Sequence, residues 1–499
     1  MFSYSDIMVK RLFSLALFGL FHIGCPAAAI ASDSNLVLCN QLDSIFSSSL
    51  LFPNDTNYST TRTENWSQTA WRTPTCIFQP ESAEDLQKVI PKLVDANVSF
   101  AVRSGGHSPS PGAANIDKGV LIDLSKLNAV DYEAENNLVR IGAGQKWDNV
   151  YRQLDRFNAT VVGGRVLDVG VGGLMLGGGL SYLSDLYGLA CDNVVDFEII
   201  LANGSLVHAN AGTNEDLFWA LKGGATNFGI VTAFKLLTYP IQGVWGGIRG
   251  YTLEDVPELL TAALKYQTAP NKDPYANLML QGFPINESFG VVLSLIYLKP
   301  EPNPIAFEPF YHINTTFDTT AISSFTEFLS GQAQAELPPR IDWFTTTLTP
   351  SKELYDKIGT IVTTSKALDK IRSATAGSTS FSIQPISSSL VEAGNSKGGN
   401  ALGLTAVNQT WFKVDSGWLW PEDDEVVHSG SAQLIGEVQA AAKKTGNYLR
   451  YLFMNDASWD QEVIDHYGTN NVRKLRRIQR EYDPSLVFQR LVPGGYKIP

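Results

Sequence analysis

Basic charge is in short supply. The 499 residues carry 38 Lys and Arg against 50 Asp and Glu, a net charge of −12, and the pI is near 5.1. No basic stripe runs along the chain that could neutralise a phosphate backbone, which excludes a nucleic-acid partner. The one dense basic run, RKLRRIQR from Arg473, reads as the solvated face of a helix. Internal repeats, low-complexity linkers and long polar tracts are missing as well. With 44% hydrophobic and 18% charged residues the chain reads as globular, and its length asks for two domains or one elaborated domain.

Long apolar runs are absent but for one. LFSLALFGLFHI follows Lys10 and Arg11 and leads to Ala29-Ile30-Ala31. A basic start, a short apolar run and an A-x-A exit predict a secretory signal peptide over 1–31. The run is too short to span a bilayer, so no membrane segment is expected after cleavage. The predicted location is extracellular, or the lumen of the secretory pathway. Cysteine is scarce too, and Cys25 leaves with the leader. Cys39, in a predicted first helix, and Cys76, at the start of a strand, are expected to pair in an oxidising compartment. That leaves Cys191, which reads as a small buried hydrophobe. His208, His312, His428 and His466 show no ligand spacing, so no metal site is expected.

The nine N-x-S/T sequons that are present agree with secretion: Asn54, Asn57, Asn65, Asn97, Asn158, Asn203, Asn286, Asn314 and Asn408. N-glycans are expected at some of them. From Thr73 to Pro240 helices and strands alternate. SAEDLQKVIPKLVDA is an amphipathic helix opened by Ser82, VSFAVRS is a strand, and FEIILANGSLVHAN is a hairpin turning at Asn203-Gly204. Between Ile241 and Val438 the texture changes to NLMLQGF, FGVVLSLIYL, FSIQPI and ALGLTAV…WFKVDSGWLW, strands of an antiparallel sheet interrupted by helices such as SKELYDKIGTIVTTSKALDKI. The fold class is α+β. A first domain is expected over 32–240 (core 71–240), a second over 241–438, and a C-terminal segment over 439–499 that returns to the first.

Three glycine-rich segments fall in the first domain: RSGGHS from Arg103, GGRVLDVGVGGLMLGGG from Gly163, and KGGATNFGIV from Lys222. Glycine lets the backbone approach a ligand and point N–H groups at it, as a pyrophosphate requires. One such loop marks an ordinary turn; three in one region, with few charges among them, point to a cofactor. The Gly170–Gly179 run lacks the strand, helix and acid of a dinucleotide fingerprint, so NAD is the weaker candidate.

The segments RSGGHSPSPGAANIDKGVLIDLSKL, DVGVGGLMLGGGLSYLSDLYGLACDNV, DLFWALKGGATNFGIVT and YDPSLVFQRLVPGGYKIP resemble, in order, the berberine bridge enzyme-like branch of the vanillyl-alcohol-oxidase flavoprotein superfamily, its secreted fungal members above all. The resemblance implies a PCMH-type FAD-binding domain followed by a substrate domain of antiparallel sheet and helices. It also implies that His107 bonds covalently to the methyl carbon at the edge of the flavin. Cofactor contacts are expected from Arg103, Ser104, Gly105, Gly106 and Ser108, from Val166, Val169, Gly170, Gly172, Gly173 and Gly177, and from Gly229, Val231 and Asn455. Many relatives carry a second, cysteinyl tether where this chain has Val166, so a single link through His107 is expected. Val169 falls beside the flavin's oxygen-reacting carbon in the family, and its small side chain resembles the oxidases, which favours O2 as acceptor and H2O2 as product.

Substrate oxidation needs a base near the flavin. Relatives place an Asn-Tyr pair before YG; here FMNDAS keeps Asn455 and puts Asp456 at the tyrosine position. Asp456 is either a buried base or a solvent-facing loop carboxylate, and Tyr448 or Tyr451 could serve instead. Trp411, Phe412, Trp418 and Trp420 either line a substrate cavity or form core. The expected function is a secreted FAD oxidase that takes hydride from a small hydroxylated or aromatic metabolite, in fungal secondary metabolism. The rivals are an extracellular oligosaccharide or alcohol oxidase, which Val166 counts against, and a flavin-carrying binding protein with little turnover.

Overall fold

The computed structural model describes residues 26–285, 290–332 and 337–499, with the backbone alone over 26–33. The expected leader up to Cys25 and the sequon at Asn286 lie outside them. The first described helix, Pro26–Phe46, carries Cys39, which is bonded to Cys76 at the start of the strand Cys76–Phe78. Cys191 is free and buried.

Two sheets make the first half. In the four-stranded one the order is Leu50–Leu51, Cys76–Phe78, Val120–Asp123, Phe100–Arg103, and the last three strands run parallel. The helix Ala83–Asp95 supplies the connection a parallel pair needs. Its N-cap Ser82 and Asp85 form a reciprocal capping box, and Leu86, Val89, Ile90 and Leu93 make its buried stripe. In the antiparallel six-stranded sheet the long strand Ile230–Pro240 sits centrally, pairing with Leu138–Gly142, Val194–Ile200 and Ala159–Val161. The expected hairpin forms between Val194–Ile200 and Leu206–Asn210, with Gly204 at φ +79° in its turn.

The third sheet is antiparallel, nine-stranded, and covers 244–449. Toward one end of it the strands Ser378–Ile386, Gln409–Trp418 and Arg340–Leu348 lie side by side. Phe344, Phe381, Ile383, Phe412 and Val414 point to one face, where they join the helices Val256–Gln267, Lys352–Thr364 and Asp424–Lys444 in a separate core. The opposite face looks toward the first two sheets. The C-terminal residues Leu475, Ile478, Val487 and Phe488 pack into the core of the first half. The helix Thr469–Tyr482 buries Val472, Leu475 and Ile478 and leaves Arg473, Arg476 and Arg477 exposed, so the basic run is a solvated face.

Two expectations need correction, and an alternative left open between cavity lining and core falls to core. ALGLTAV forms no strand; the strand begins only at Gln409. SKELYDKIGTIVTTSKALDKI is two helices, Lys352–Thr364 and Ala367–Ser373, broken where Ser365 takes extended backbone. The aromatic cluster is divided: Trp411, Phe412 and Trp418 are buried in three different cores, and Trp420 is exposed. It is packing and not one cavity wall, because strand alternation sends Trp411 and Phe412 to opposite faces. Among the described residues no helix is long and apolar enough to cross a membrane.

Candidate active site

The RSGGHS turn leaves the strand Phe100–Arg103 at the sheet's C-terminal edge. Arg103 is 1% exposed, and its guanidinium is held beneath the turn by Asp123 at 3.0 Å, Asn65 at 3.2 Å and Glu64 at 3.4 Å. Ser104 ties the first glycine segment to the second: its Oγ donates to the Ala143 carbonyl at 2.6 Å and accepts the Gly172 amide at 3.1 Å. Gly105 and Gly170 are pressed together so closely that a Cβ on either would stand within 2.4 Å of the other's backbone. Side chains at these two positions would drive the segments apart. Gly106 takes φ +65°. Among the described residues, no protein acceptor meets the amide N–H groups of Gly105, Gly106, His107 and Ser108. Four such amides in succession are free to meet an anion.

His107 is half-buried among rings, with its Nε2 enclosed. Trp66 stacks on its imidazole at 4.3 Å between centroids and 11° between planes, and Trp343 lies at 6.4 Å and 19°. Its Nε2 has no hydrogen-bond partner and lies 3.7 Å from the Asp168 carboxylate. Burial pushes the imidazole pKa down to about 4; Asp168 opposes this, and Lys413 and Lys146 add to it. The ring is therefore neutral at neutral pH, with a lone pair free for nucleophilic use.

Facing this turn is the polar side of the nine-stranded sheet. Register sets Lys413 between Thr345 and Ser382, and Asp415 between Trp343 and Ser380. The Lys413 ammonium lies 2.9 Å from Asp415, 3.4 Å from Asp456 and 4.7 Å above the Trp343 ring. Burial opposes the ammonium, yet the two carboxylates hold its pKa above the ordinary lysine value. Burial pushes the Asp415 carboxyl up against the pull of Lys413. Asp456 is 7% exposed and accepts from Gln384 Nε2 at 2.8 Å; Gln384 in turn accepts from Arg165. Asp456 is thus an enclosed carboxylate and not a solvent-facing one. A buried charge of this kind persists only when paired.

Asn455, beside it, locks the C-terminal segment onto the second glycine run. Its side chain accepts the Gly179 amide at 3.1 Å, donates to the Gly173 carbonyl at 3.3 Å and occupies the space a Cβ on Gly177 would need. Gly173 itself borders open space. Val166 and Val169 are half-buried in the same run. Gly229 and Val231 open the strand Ile230–Pro240 against Ile199 and Ile200, and Ser108 Oγ accepts the Ser110 amide. Tyr451 is buried against Trp411 and Tyr467, its hydroxyl unpartnered and its pKa driven far up by burial. Tyr448 lies on the edge strand Tyr448–Leu449 beside Lys443. Among the described residues neither tyrosine is hydrogen-bonded to His107, Lys413 or Asp456, although the Asp456 charge adds to the rise at Tyr451.

The sequence reading missed Trp66, Trp343, Gln384, Lys413 and Asp415. One signal was available: in WFKVDSGW, Trp411, Lys413 and Asp415 alternate, so two charges share one face of a strand whose other face is apolar.

A family model described as an FAD binding domain matches residues 74–210. The bifunctional solanapyrone synthase of Alternaria solani is 35% identical over 92% of this chain and 88% of its own length. An FAD-dependent monooxygenase of Arthrobotrys oligospora is 36% identical over 92% and 89%. Among solved structures, 6-hydroxy-D-nicotine oxidase of Arthrobacter nicotinovorans superposes with a TM-score of 0.76 at 21% identity, over 90% of this chain and 97% of that one. Glucooligosaccharide oxidase of Acremonium strictum, described with a 6-S-cysteinyl, 8α-N1-histidyl FAD, gives 0.73 at 17% identity over 91% and 97%. The chain belongs to the family of FAD-linked oxidoreductases that these fungal relatives form, and it has the fold of the berberine bridge enzyme-like proteins of the vanillyl-alcohol-oxidase superfamily.

Proposed function

We propose that this protein is a secreted oxidase of a small hydroxylated or aromatic metabolite, in fungal secondary metabolism, with FAD attached through His107 alone. One observation carries the reading. A neutral imidazole with a buried, unpartnered nitrogen stands on the GGH turn and meets, through Trp343, the enclosed Lys413–Asp456 pair.

The residues fit the cofactor. The free amides of Gly105 to Ser108 would take phosphate oxygens, the orphaned imidazole would take the methyl carbon, and the open space beside Gly173 admits a ligand against the backbone. FAD held there would supply the hydride acceptor, with O2 taking the electron pair as H2O2. The chain's own part is to orient substrate and move a proton. Asp456 takes the proton from the substrate hydroxyl, Gln384 fixes the carboxylate through Oδ2, and Lys413 stands at Oδ1 as the counter-charge.

Val166 brings no thiol to the site of the second tether, which supports the single link and counts against a sugar substrate. The small Val169 supports O2 as the acceptor. The relatives named as monooxygenases and the solanapyrone synthase favour a metabolite over a carbohydrate. The test is anaerobic mixing with two panels, one of sugars and one of aromatic and polyketide-like alcohols. Bleaching of the visible flavin band by the second panel alone is expected; bleaching by the sugars would overturn the substrate class. Turnover under 18O2 then separates the chemistries. An oxidase leaves both labelled atoms in H2O2, whereas label in the organic product would make the protein a monooxygenase.

A further inference from the structure

Residues 64–71 form a strap between the two halves of the molecule, and most of its polar groups are tied down. On the side of the first domain, the Trp66 amide donates to the Gly106 carbonyl at 3.0 Å. Asn65 Oδ1 accepts from Arg103 and from Asn115 Nδ2 at 3.0 Å, and Thr69 Oγ1 donates to the Pro109 carbonyl at 2.6 Å. On the other side, Ser67 Oγ accepts the Ile341 amide at 2.9 Å, and the Gln68 amide donates to the Pro339 carbonyl at 2.8 Å. The strap is therefore bolted both to the turn that carries His107 and to the strand that carries Trp343. The side chain it delivers between them is the Trp66 indole, stacked on His107 and backed by Trp343 at 5.7 Å.

A histidine that follows two glycines has a mobile backbone behind it and two free side-chain torsions. Bond formation needs one nitrogen aimed at one carbon, and a misplacement of about 1 Å costs on the order of a hundredfold in rate. A flat ring 11° from coplanar with the imidazole removes the torsional freedom that would cause such misplacement. We infer that Trp66 is the positioning residue that holds the His107 imidazole in the orientation from which it bonds to the flavin. This rests on the attachment proposed above. In that step an imidazole nitrogen forms one bond to the methyl carbon. The imidazole N–H proton and one methyl proton leave with an electron pair, which O2 accepts to become H2O2. Trp66 takes part in none of the bonds made or broken; it acts through the ring it stacks on.

The experiment compares the secreted holoprotein with its Trp66→Phe, Trp66→Ala, Trp66→Leu and His107→Ala variants. Total flavin is read from the native spectrum, and attached flavin from the acid-precipitated pellet. Trp66→Phe keeps a planar ring and is expected to keep the wild-type attached fraction. Trp66→Ala and Trp66→Leu are expected to hold flavin in the native state but to lose at least about tenfold of the attached fraction. Leucine keeps bulk without a plane, so it reads the role even if the alanine variant fails to fold. Wild-type attachment in Trp66→Leu would overturn the role of Trp66 and leave the attachment reading standing. Flavin released entirely from the wild-type protein, or retained by His107→Ala, would instead overturn the attachment reading itself.

Discussion

Asp456 and Lys413 act on one another before they act on anything else, and their substitutions separate catalysis from stability. Asp456→Asn keeps the shape and the Gln384 contact but removes the proton acceptor. The rate of flavin reduction by substrate in anaerobic stopped flow is expected to fall by about 10²–10⁴-fold with flavin content unchanged; an unchanged rate would remove Asp456 from the mechanism. Lys413→Met leaves Asp415 and Asp456 buried without their cation. The expected loss of about 3–5 kcal/mol is measured by denaturant unfolding. The sequence showed that Asp456 departs from the family's tyrosine, but not that it is buried. That depends on Gln384, 72 residues away in the chain, and on Lys413, brought together by sheet register. His107 was legible because its glycines and its neighbours are contiguous. Trp66 was not, because nothing local to NWS says that it faces a turn forty residues on.

At the scale of elements, the segment carrying Asp456 is stapled to the strand Arg340–Leu348. Trp343 Nε1 donates to the Ala457 carbonyl at 3.0 Å, Ser458 Oγ to Asp342 at 3.2 Å, and Gln461 bonds both the amide and the carbonyl of Thr345. His428, on the helix Asp424–Lys444, bridges Asp342 at 2.5 Å and Asp460 at 3.1 Å, stacks on Trp459 and has Phe344 tilted against it. Hydrogen bonds to Asp342 and Asp460 push its pKa up to about 10 against the cost of burial. Its folded value lies above the unfolded value of about 6.5, so its stabilisation is complete below that pH and is lost as pH rises through 10. Thermal melts from pH 6 to 10 should therefore decline more steeply in the wild-type protein than in His428→Gln; parallel slopes would contradict the clamp. The strand Arg340–Leu348 was not recognised in the sequence because RIDWFTTTL mixes charged and hydroxyl residues with aromatics, and its polar side is buried against another domain instead of facing water. The strap adds a prediction about glycans. Asn65 is 2% exposed and hydrogen-bonded to Arg103 and Asn115, whereas Asn54, Asn57, Asn97, Asn158, Asn203 and Asn314 are exposed. Glycopeptide mapping should find glycans among these six and none at Asn65.

For the molecule as a whole, the Cys39–Cys76 bond closes a segment of 37 residues. Its removal in Cys39→Ser/Cys76→Ser should cost roughly 4 kcal/mol by chain-entropy reasoning, measured by denaturant unfolding. The two halves are joined by buried polar contacts as well as by the strap: Lys272 bonds Asp185 and Ser387, and Ser387 Oγ bonds Asp185 at 2.8 Å. Fold class and cofactor were legible at this scale because the glycine segments keep their order along the chain. The make-up of the substrate floor was not, since it is assembled from three strands whose pairing no local pattern records. The account stands or falls on the bond at His107, and peptide mass mapping of the purified protein tests it most directly. The account predicts one modified peptide, spanning His107 and heavier by FAD less two hydrogens, with the peptide spanning Val166 unmodified. An unmodified His107 peptide, or flavin found on any other residue, would contradict it.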